Sequence, residues 1–325
     1  MSIASVTTNT VGGVDTNTRL GSALLDVYSL DILHKAQGVM RFEEFAIRKQ
    51  EFTAAPGEKI NFIIYDDLEL GTAKGKLTES DSLAHNAMVA SQATITIEEW
   101  GKAIKVSEKL LRLSWDDVMA EAATLLGRDY AVVRDIALRD ALTASTNIEF
   151  ADSTINNVNA LAATDVMSTD LVRRSVEILE TNNAPKFYGD YYICFVYPHQ
   201  ASDLRRDTTW INANAYAGTR NIFNGEIGRW EDVVFITSTH CRNGAAANEA
   251  PGYFADFDSA VHTGSEHGYE ALMFGDQCLY VADALPVELR DNGIEDFGRT
   301  HGLAWYSLFG TKMLREDYAV RLITA

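Results

Sequence analysis

The spacing of apolar positions changes several times along the chain, and each change marks an element. Residues 1–18 are mostly Thr, Asn, Val and Gly without helical or strand period, which predicts a loose arm. From 20 to 36, Leu24, Leu25, Tyr28, Ile32, Leu33 and Ala36 recur at intervals of three and four, the pattern of a short amphipathic helix. Phe42, Phe45 and Ile47 then lead to the turn signal Pro56-Gly57. Residues 59–65 and 93–97 are rich in β-branched side chains and partly alternating, with 103–107 extending the second run, so they predict one long β-hairpin. Between its arms, residues 71–91 hold little that anchors a core, which means that they pack on something outside their own domain or stay disordered.

The strongest periodic segment is a helix over 116–142. Val118, Ala122, Leu126, Tyr130, Val133, Ala137 and Ala141 form one stripe; at ~1.5 Å per residue the element is about 40 Å long and spans a domain. Ser114 with Asp117 reads as a capping box, and Asp135 with Arg139 as an i,i+4 pair. A second helix is expected over 169–182, with Leu171, Val172, Ser175, Val176, Ile178 and Leu179 buried and Pro185 as its stop. The unbroken apolar run 191–196 predicts a buried strand, and Pro198 opens a helix through Arg205. Further strands are expected at 233–236, 287–289, 303–309 and 318–322; the last alternates strictly, which predicts one buried and one wet face. No repeat of 20 to 50 residues is visible, so solenoids and propellers are excluded.

Composition narrows the functional classes. The 325 residues, 46% hydrophobic and 23% charged, describe an ordinary globular chain with a sizeable core. With Lys plus Arg at 28 and Asp plus Glu at 46, the net charge of −18 repels phosphate backbones and anionic membranes, which disfavours a general nucleic-acid or membrane-surface binder. Cys194, Cys241 and Cys278 are odd in number and far apart, so neither a disulfide framework nor a zinc site is indicated. The first residues lack a basic and then apolar leader, and no run approaches the ~18 apolar residues of a membrane helix, so a cytoplasmic chain without membrane contact is expected.

Candidate chemistry is sparse. Gly71-Thr72-Ala73-Lys74-Gly75-Lys76-Leu77 resembles a phosphate loop but has three residues between its glycines and Leu77 where a magnesium-binding hydroxyl belongs. His262, Glu266 and His267 approach the spacing of two metal ligands, but Gly264 and Gly268 interrupt them. His240 beside Cys241 is not thereby a base within reach of a thiol, and a buried inert cysteine is the commoner case. Asp256 and Asp258 lack the glycine and distal Glu of a calcium loop; Asp66-Asp67 and Asp116-Asp117 point to different faces. No catalytic, cofactor-binding or metal-binding residue is assigned, and a chain with strong folding signals, a coreless arm and hairpin, and no catalytic constellation reads as an assembly subunit.

One series of segments runs in order along the chain: Leu33-His34-Lys35-Ala36 with Phe42-Glu43-Glu44-Phe45-Ala46, Pro56-Gly57-Glu58-Lys59-Ile60-Asn61-Phe62 with Leu68, Leu77-Thr78-Glu79, Trp100-Gly101, and Ile104-Lys105-Val106-Ser107-Glu108-Lys109-Leu110. Trp115-Asp116-Asp117, Pro198 with Asp203-Leu204-Arg205, Phe223-Asn224-Gly225-Glu226-Ile227-Gly228 and Leu303-Ala304-Trp305-Tyr306 continue it across nearly the whole chain. In these segments and their order the chain resembles the major capsid proteins of tailed bacteriophages with the Hong Kong 97 fold, in the branch related to the coliphage N-four capsid protein.

The resemblance implies an α+β fold with an N-terminal arm (1–50), an extended loop (51–106), a peripheral domain holding the spine helix (107–166 and 280–325) and an axial domain (167–279). It implies a structural protein of the virion, not an enzyme and without cofactor, whose copies assemble in the host cytoplasm into pentamers and hexamers of an icosahedral shell around double-stranded DNA. Because the arm begins at Met1, scaffolding is expected from a separate protein, with a portal and a decoration protein as further partners. Some relatives join Lys to Asn covalently; Lys74 and Lys76 lie in the hairpin without a motif for that role. Two other readings compete: a cytosolic α+β enzyme with a motif-free site in 185–280, and a decoration or scaffold-binding protein of a virion.

Overall fold

The computed structural model describes residues 41–49, 59–65, 88–114, 117–155, 161–162, 164–210, 226–242 and 268–325. The predicted helix over 20–36, the turn at Pro56-Gly57, most of the hairpin tip, and the His262, Glu266, His267, Asp256 and Asp258 positions lie outside them. After a 3-10 turn at Phe42–Phe45 come β1 (Ile47–Lys49), β2 (Lys59–Tyr65), β3 (Ala90–Thr96), β4 (Glu98–Ser107), α1 (Glu108–Leu113), α2 (Val118–Leu142), β5 (Ile148–Phe150) and α3 (Thr169–Thr181). They are followed by β6 (Tyr192–Val196), α4 (Pro198–Arg206), β7 (Glu226–Trp230), β8 (Val233–Thr237), β9 (Tyr269–Phe274), β10 (Leu279–Glu295), β11 (Thr300–Met313), a 3-10 turn at Glu316–Tyr318, and β12 (Ala319–Thr324).

Among the described residues these strands form a four-stranded sheet ordered β1-β10-β11-β4, a six-stranded sheet ordered β5-β12-β9-β6-β8-β7, and the β2-β3 ribbon. The long helix α2 lies on the four-stranded sheet. Its Met119, Ala122, Leu126, Tyr130 and Ala137 meet Val287, Leu289, Leu303, Trp305 and Phe309, an i, i+3, i+4 stripe against alternate strand positions. Trp305 is buried edge-on to Tyr130 and satisfies its indole N–H by donating to Asp129 Oδ2 at 2.9 Å. Pro286 interrupts β10: it has no N–H to give the ladder, and the register shifts between Leu285 and Glu288 so that Pro286 and Val287 oppose Ser307 alone.

The cap of α2 is not the predicted box. Asp117 itself is the N-cap, its carboxylate accepting from the backbone N–H of Met119 and Ala120 at 3.2 and 3.3 Å, while Ser114 closes the C-terminus of the preceding helix α1. Helix α1 was unforeseen because it spans only six residues; Ser107 caps it and Glu108 pairs with Arg112 at 2.7 Å.

The six-stranded sheet is covered on both faces. Tyr192, Cys194 and Val196 of β6 pack with Leu171, Val172, Val176 and Leu179 of α3, whereas Ile193 and Phe195 pack with Leu138 and Leu142 at the end of α2. That double cover is why the run 191–196 is apolar without alternation. It also overturns the expected wet face of the last strand. Val320 and Leu322 join the α3 side, Ala319 joins the α2 side, and the one polar member of the middle, Arg321, is only half-buried and bonded to the fully buried Glu270.

Helices α3 and α4 are tied end to end. Asp207, just past α4, accepts from Thr169 N and Oγ1 at 3.1 and 2.7 Å and from Thr209 N at 2.8 Å. Burial would raise its pKa, but these hydrogen bonds win and hold the carboxyl below its usual 3.8. A depressed carboxyl stabilises the fold above its unfolded pKa and loses that contribution as pH falls through the folded value. Asp207→Asn is therefore expected to flatten the loss of stability below pH 3.8, read from urea midpoints over an acid series; an unchanged acid limb counts against the role.

Candidate assembly surfaces

Three features face outward or tie distant segments together: the end of the arm, the hairpin ribbon, and the tip between β10 and β11.

The arm end is held by charge and aromatic packing. Phe42 is fully buried with its ring 4.1 Å from Phe195, and Phe45 lies edge-on to Phe187 and Phe195. Asp135 of α2, itself fully buried, accepts from the backbone N–H of Arg41 and Phe42 at 2.9 Å each and lies 2.5 Å from His240 Nδ1. The carboxylate predicted to serve a local helix pair instead joins segments 94 and 105 residues away, and Arg139 contacts Asp140 and the His240 carbonyl.

The residue preceding Asp135 on the helix, Arg134, bonds Asp283 with both terminal nitrogens at 2.7 and 2.9 Å, Glu43 at 2.8 Å and Tyr130 Oη at 3.0 Å. Burial alone would lower the guanidinium's pKa, but the bond to Asp283 and the surrounding negative charge hold it above its ordinary value. β1 then adds in parallel to β10, pairing Ile47 with Tyr280. Residues 41–49 are thus part of the body, although the sequence places them in the arm.

The ribbon has two unlike faces. Ile60, Phe62 and Ile64 share one face with Ile95, Ala93 and Ser91, and Phe62 reaches the ring of Tyr280 at 5.6 Å. The other face carries Ile63 and Tyr65, each more than half exposed, and Met88 and Val89 beyond them are more than half exposed as well. The predicted extension of the hairpin through 103–107 is corrected here. β4 leaves β2 and pairs with β11, from Thr300 opposite Ser107 to Phe309 opposite Glu98. The handover point is crowded: a Cβ on Gly310 would sit 2.1 Å from the Thr96 carbonyl oxygen.

The β10–β11 connection carries Asp296, Phe297 and Gly298 at φ 51°, 54° and 90°, all in the left-handed region, and Phe297 is 95% exposed.

The residues considered for chemistry stay apart. Gly71 to Leu77 and the His262 group are outside the described residues. Cys194, Cys241 and Cys278 are buried free thiols, pushed up in pKa by that burial. Among the described residues no group of three or more His, Cys, Asp and Glu is placed to hold a metal ion, and no helix is long and apolar enough to cross a membrane.

No curated protein sequence matches the chain. Solved structures do match in fold. The capsid of Ralstonia phage GP4 aligns with a TM-score of 0.67 at 19% identity, over 88% of this chain and 91% of that one. The capsid asymmetric unit of cyanophage Pam1 aligns with a TM-score of 0.67 at 15% identity, over 90% and 92%. The capsid of cyanophage P-SCSP1u gives 0.63 at 19%, over 88% of each chain. The fold is the mixed helix and strand architecture of the Hong Kong 97 type implied by the sequence resemblance; the branch related to coliphage N-four is not singled out. A model of the phage capsid protein family matches residues 133–320, more than half of the 325, and sets aside the enzyme reading. The chain belongs to the phage capsid protein family, and its role is structural.

Proposed function

We propose that the chain is the major capsid protein of a tailed bacteriophage, its copies forming pentamers and hexamers of an icosahedral shell around double-stranded DNA. Assembly takes place in the host cytoplasm on a separate scaffolding protein, with a portal and a decoration protein as later partners. The net charge of −18 fits a wall that does not adhere to its genome. In this reading 1–50 is the arm, 51–106 the extended loop, 107–166 with 280–325 the peripheral domain and 167–279 the axial domain. β5 and β12 lie in peripheral segments by number but hydrogen-bond into the sheet of the axial segment, so the two domains share strands.

The observation that carries the reading is the ribbon. Two strands alone are marginal in water, and this pair shows Ile63 and Tyr65 to solvent on one face, with Met88 and Val89 exposed just before β3. Those side chains are matched by burial against a neighbouring subunit. Replacing residues 71–91 by a Gly-Asn turn is expected to leave the fold intact by circular dichroism, since shortening the loop changes closure entropy by only ~1 kcal/mol. Particles seen by electron microscopy should be lost or become fragile. Unchanged particle yield and heat resistance would overturn the role of the ribbon.

A further inference from the structure

The tip between β10 and β11 is built in a way that its own chain does not reward. Ile294 pairs with His301 and Glu295 with Thr300, and four residues close the turn. The turn is firmly held. Arg299 N donates to the carbonyls of Glu295 and Asp296, both at 3.1 Å, and Arg299 O accepts from Glu108 N at 2.9 Å. Lys105 pairs with Glu295 at 2.6 Å, and Arg299 with Asp296 at 3.5 Å.

In this braced frame a phenylalanine occupies the left-handed region, where a side chain with Cβ is strained and Gly or Asn is usual. Its ring is 95% exposed, and Ile294 beside it is 60% exposed. A ring that pays in strain and in hydration has its return outside the chain.

We propose that Phe297 is a contact residue between copies of this chain, burying its ring against the same end of a neighbouring subunit. The proposal rests on the capsid-subunit reading and adds the residue and its occupant. Charge identifies the occupant. At −18 the copies repel one another, so they approach closely only where charge is locally balanced. Around the tip it is: Lys105 pairs with Glu295, Arg112 with Glu108 and Arg299 with Asp296. The same end also supplies the matching apolar surface. α1 starts at the hydrogen bond to Arg299, and its last residue, Leu113, is exposed roughly 10 Å along, six residues at about 1.5 Å each. A surface that carries both the protruding ring and its apolar counterpart closes on copies of itself.

Three variants of the full chain, expressed with the neighbouring gene products, test this. Phe297→p-benzoylphenylalanine, irradiated in assembled particles, is expected to cross-link to a peptide of this same chain, and the separated subunit is not. Phe297→Asn is expected to leave the melting temperature of the subunit unchanged or raised, because Asn accepts the left-handed backbone, while the protein concentration needed for assembly rises about tenfold or more. Phe297→Leu should restore part of the assembly. Particles that give no self cross-link, or an Asn variant that assembles at the wild-type concentration, overturn the inference while the capsid-subunit reading stands. So does an Asn variant whose subunit melts lower, which would show that the ring serves its own fold. A wild-type chain that forms no capsomer or shell in the same experiment would sink the capsid-subunit reading itself.

Discussion

Arg134→Met is expected to lower the stability of the subunit by roughly 3–5 kcal/mol, the largest loss from any single side chain outside the aromatic core. Arg134 is 3% exposed and answers two carboxylates, the buried Glu43 at the end of the arm and the part-buried Asp283 of β10. Methionine fills much of the volume yet leaves Asp283 without its cation and Glu43 with only the half-exposed Arg48, and a charge left unpaired away from water costs more than the pair contributes. Arg134→Lys keeps the charge but loses the planar fork that holds both oxygens of Asp283, so an intermediate loss is expected. The measurement is the urea midpoint at constant slope. Limited proteolysis near residues 41–49 should become fast in the Met variant, because Glu43 is the charged anchor of the arm end. A midpoint shift worth under about 1 kcal/mol would mean that water already solvates these acids.

Gly310→Ala is expected to be nearly as damaging, from the addition of one methyl group. The added Cβ would lie 2.1 Å from the Thr96 carbonyl oxygen and 3.0 Å from Ile95 Cγ2; the first is backbone held in the strand and the second belongs to a fully buried side chain, so neither yields cheaply. The strands must separate by about 1 Å at the point where β3 gives way to β4; forced overpacking of this kind costs ~1–3 kcal/mol or more. The expected readout is a fall in melting temperature together with loss of particles, since the ribbon pivots at this crossing. Gly302→Ala is the control. Its Cβ would meet Asn292 Cβ at 3.5 Å and Lys105 Cγ at 3.8 Å, ordinary contact distances, so a change under about 1 kcal/mol is expected. Equal tolerance at both positions would remove the crossing as the reason for glycine at 310.

Much of this protein could be read before any coordinates, and the readable parts share a cause: their determinants lie within a few residues of one another. Helix α3 runs from Thr169–Thr181 with Ser168 as its cap and the expected Leu171, Val172, Ser175, Val176 and Leu179 buried. β6 is the apolar run and α4 opens on Pro198, as periodicity and proline's missing N–H imply. The long helix is present over Val118–Leu142, and the motifs spread along the chain were enough to point to the capsid family that the matched segment 133–320 shows.

Tertiary structure decided what depends on partners remote in sequence. Local alternation in the last strand looked half-wet, but α3 and the end of α2 cover opposite faces of its sheet, and no pattern within six residues reports what arrives from elsewhere. The strand-like runs 93–97 and 103–107 looked like one hairpin arm; only the competing edge of β11 divides them. Asp135 read as half of a local pair with Arg139, and Arg134 carried no local signal; both became buried anchors because the arm end and β10 bring backbone N–H groups and carboxylates to them. Phe297 was an unremarked residue near Gly298 until the fold left it fully in water on a braced turn. Secondary structure follows from short-range sterics and burial period, whereas pairing of buried charge, choice of strand partner and the exposure of a single ring are set by which surfaces meet, and those meetings are properties of the whole chain.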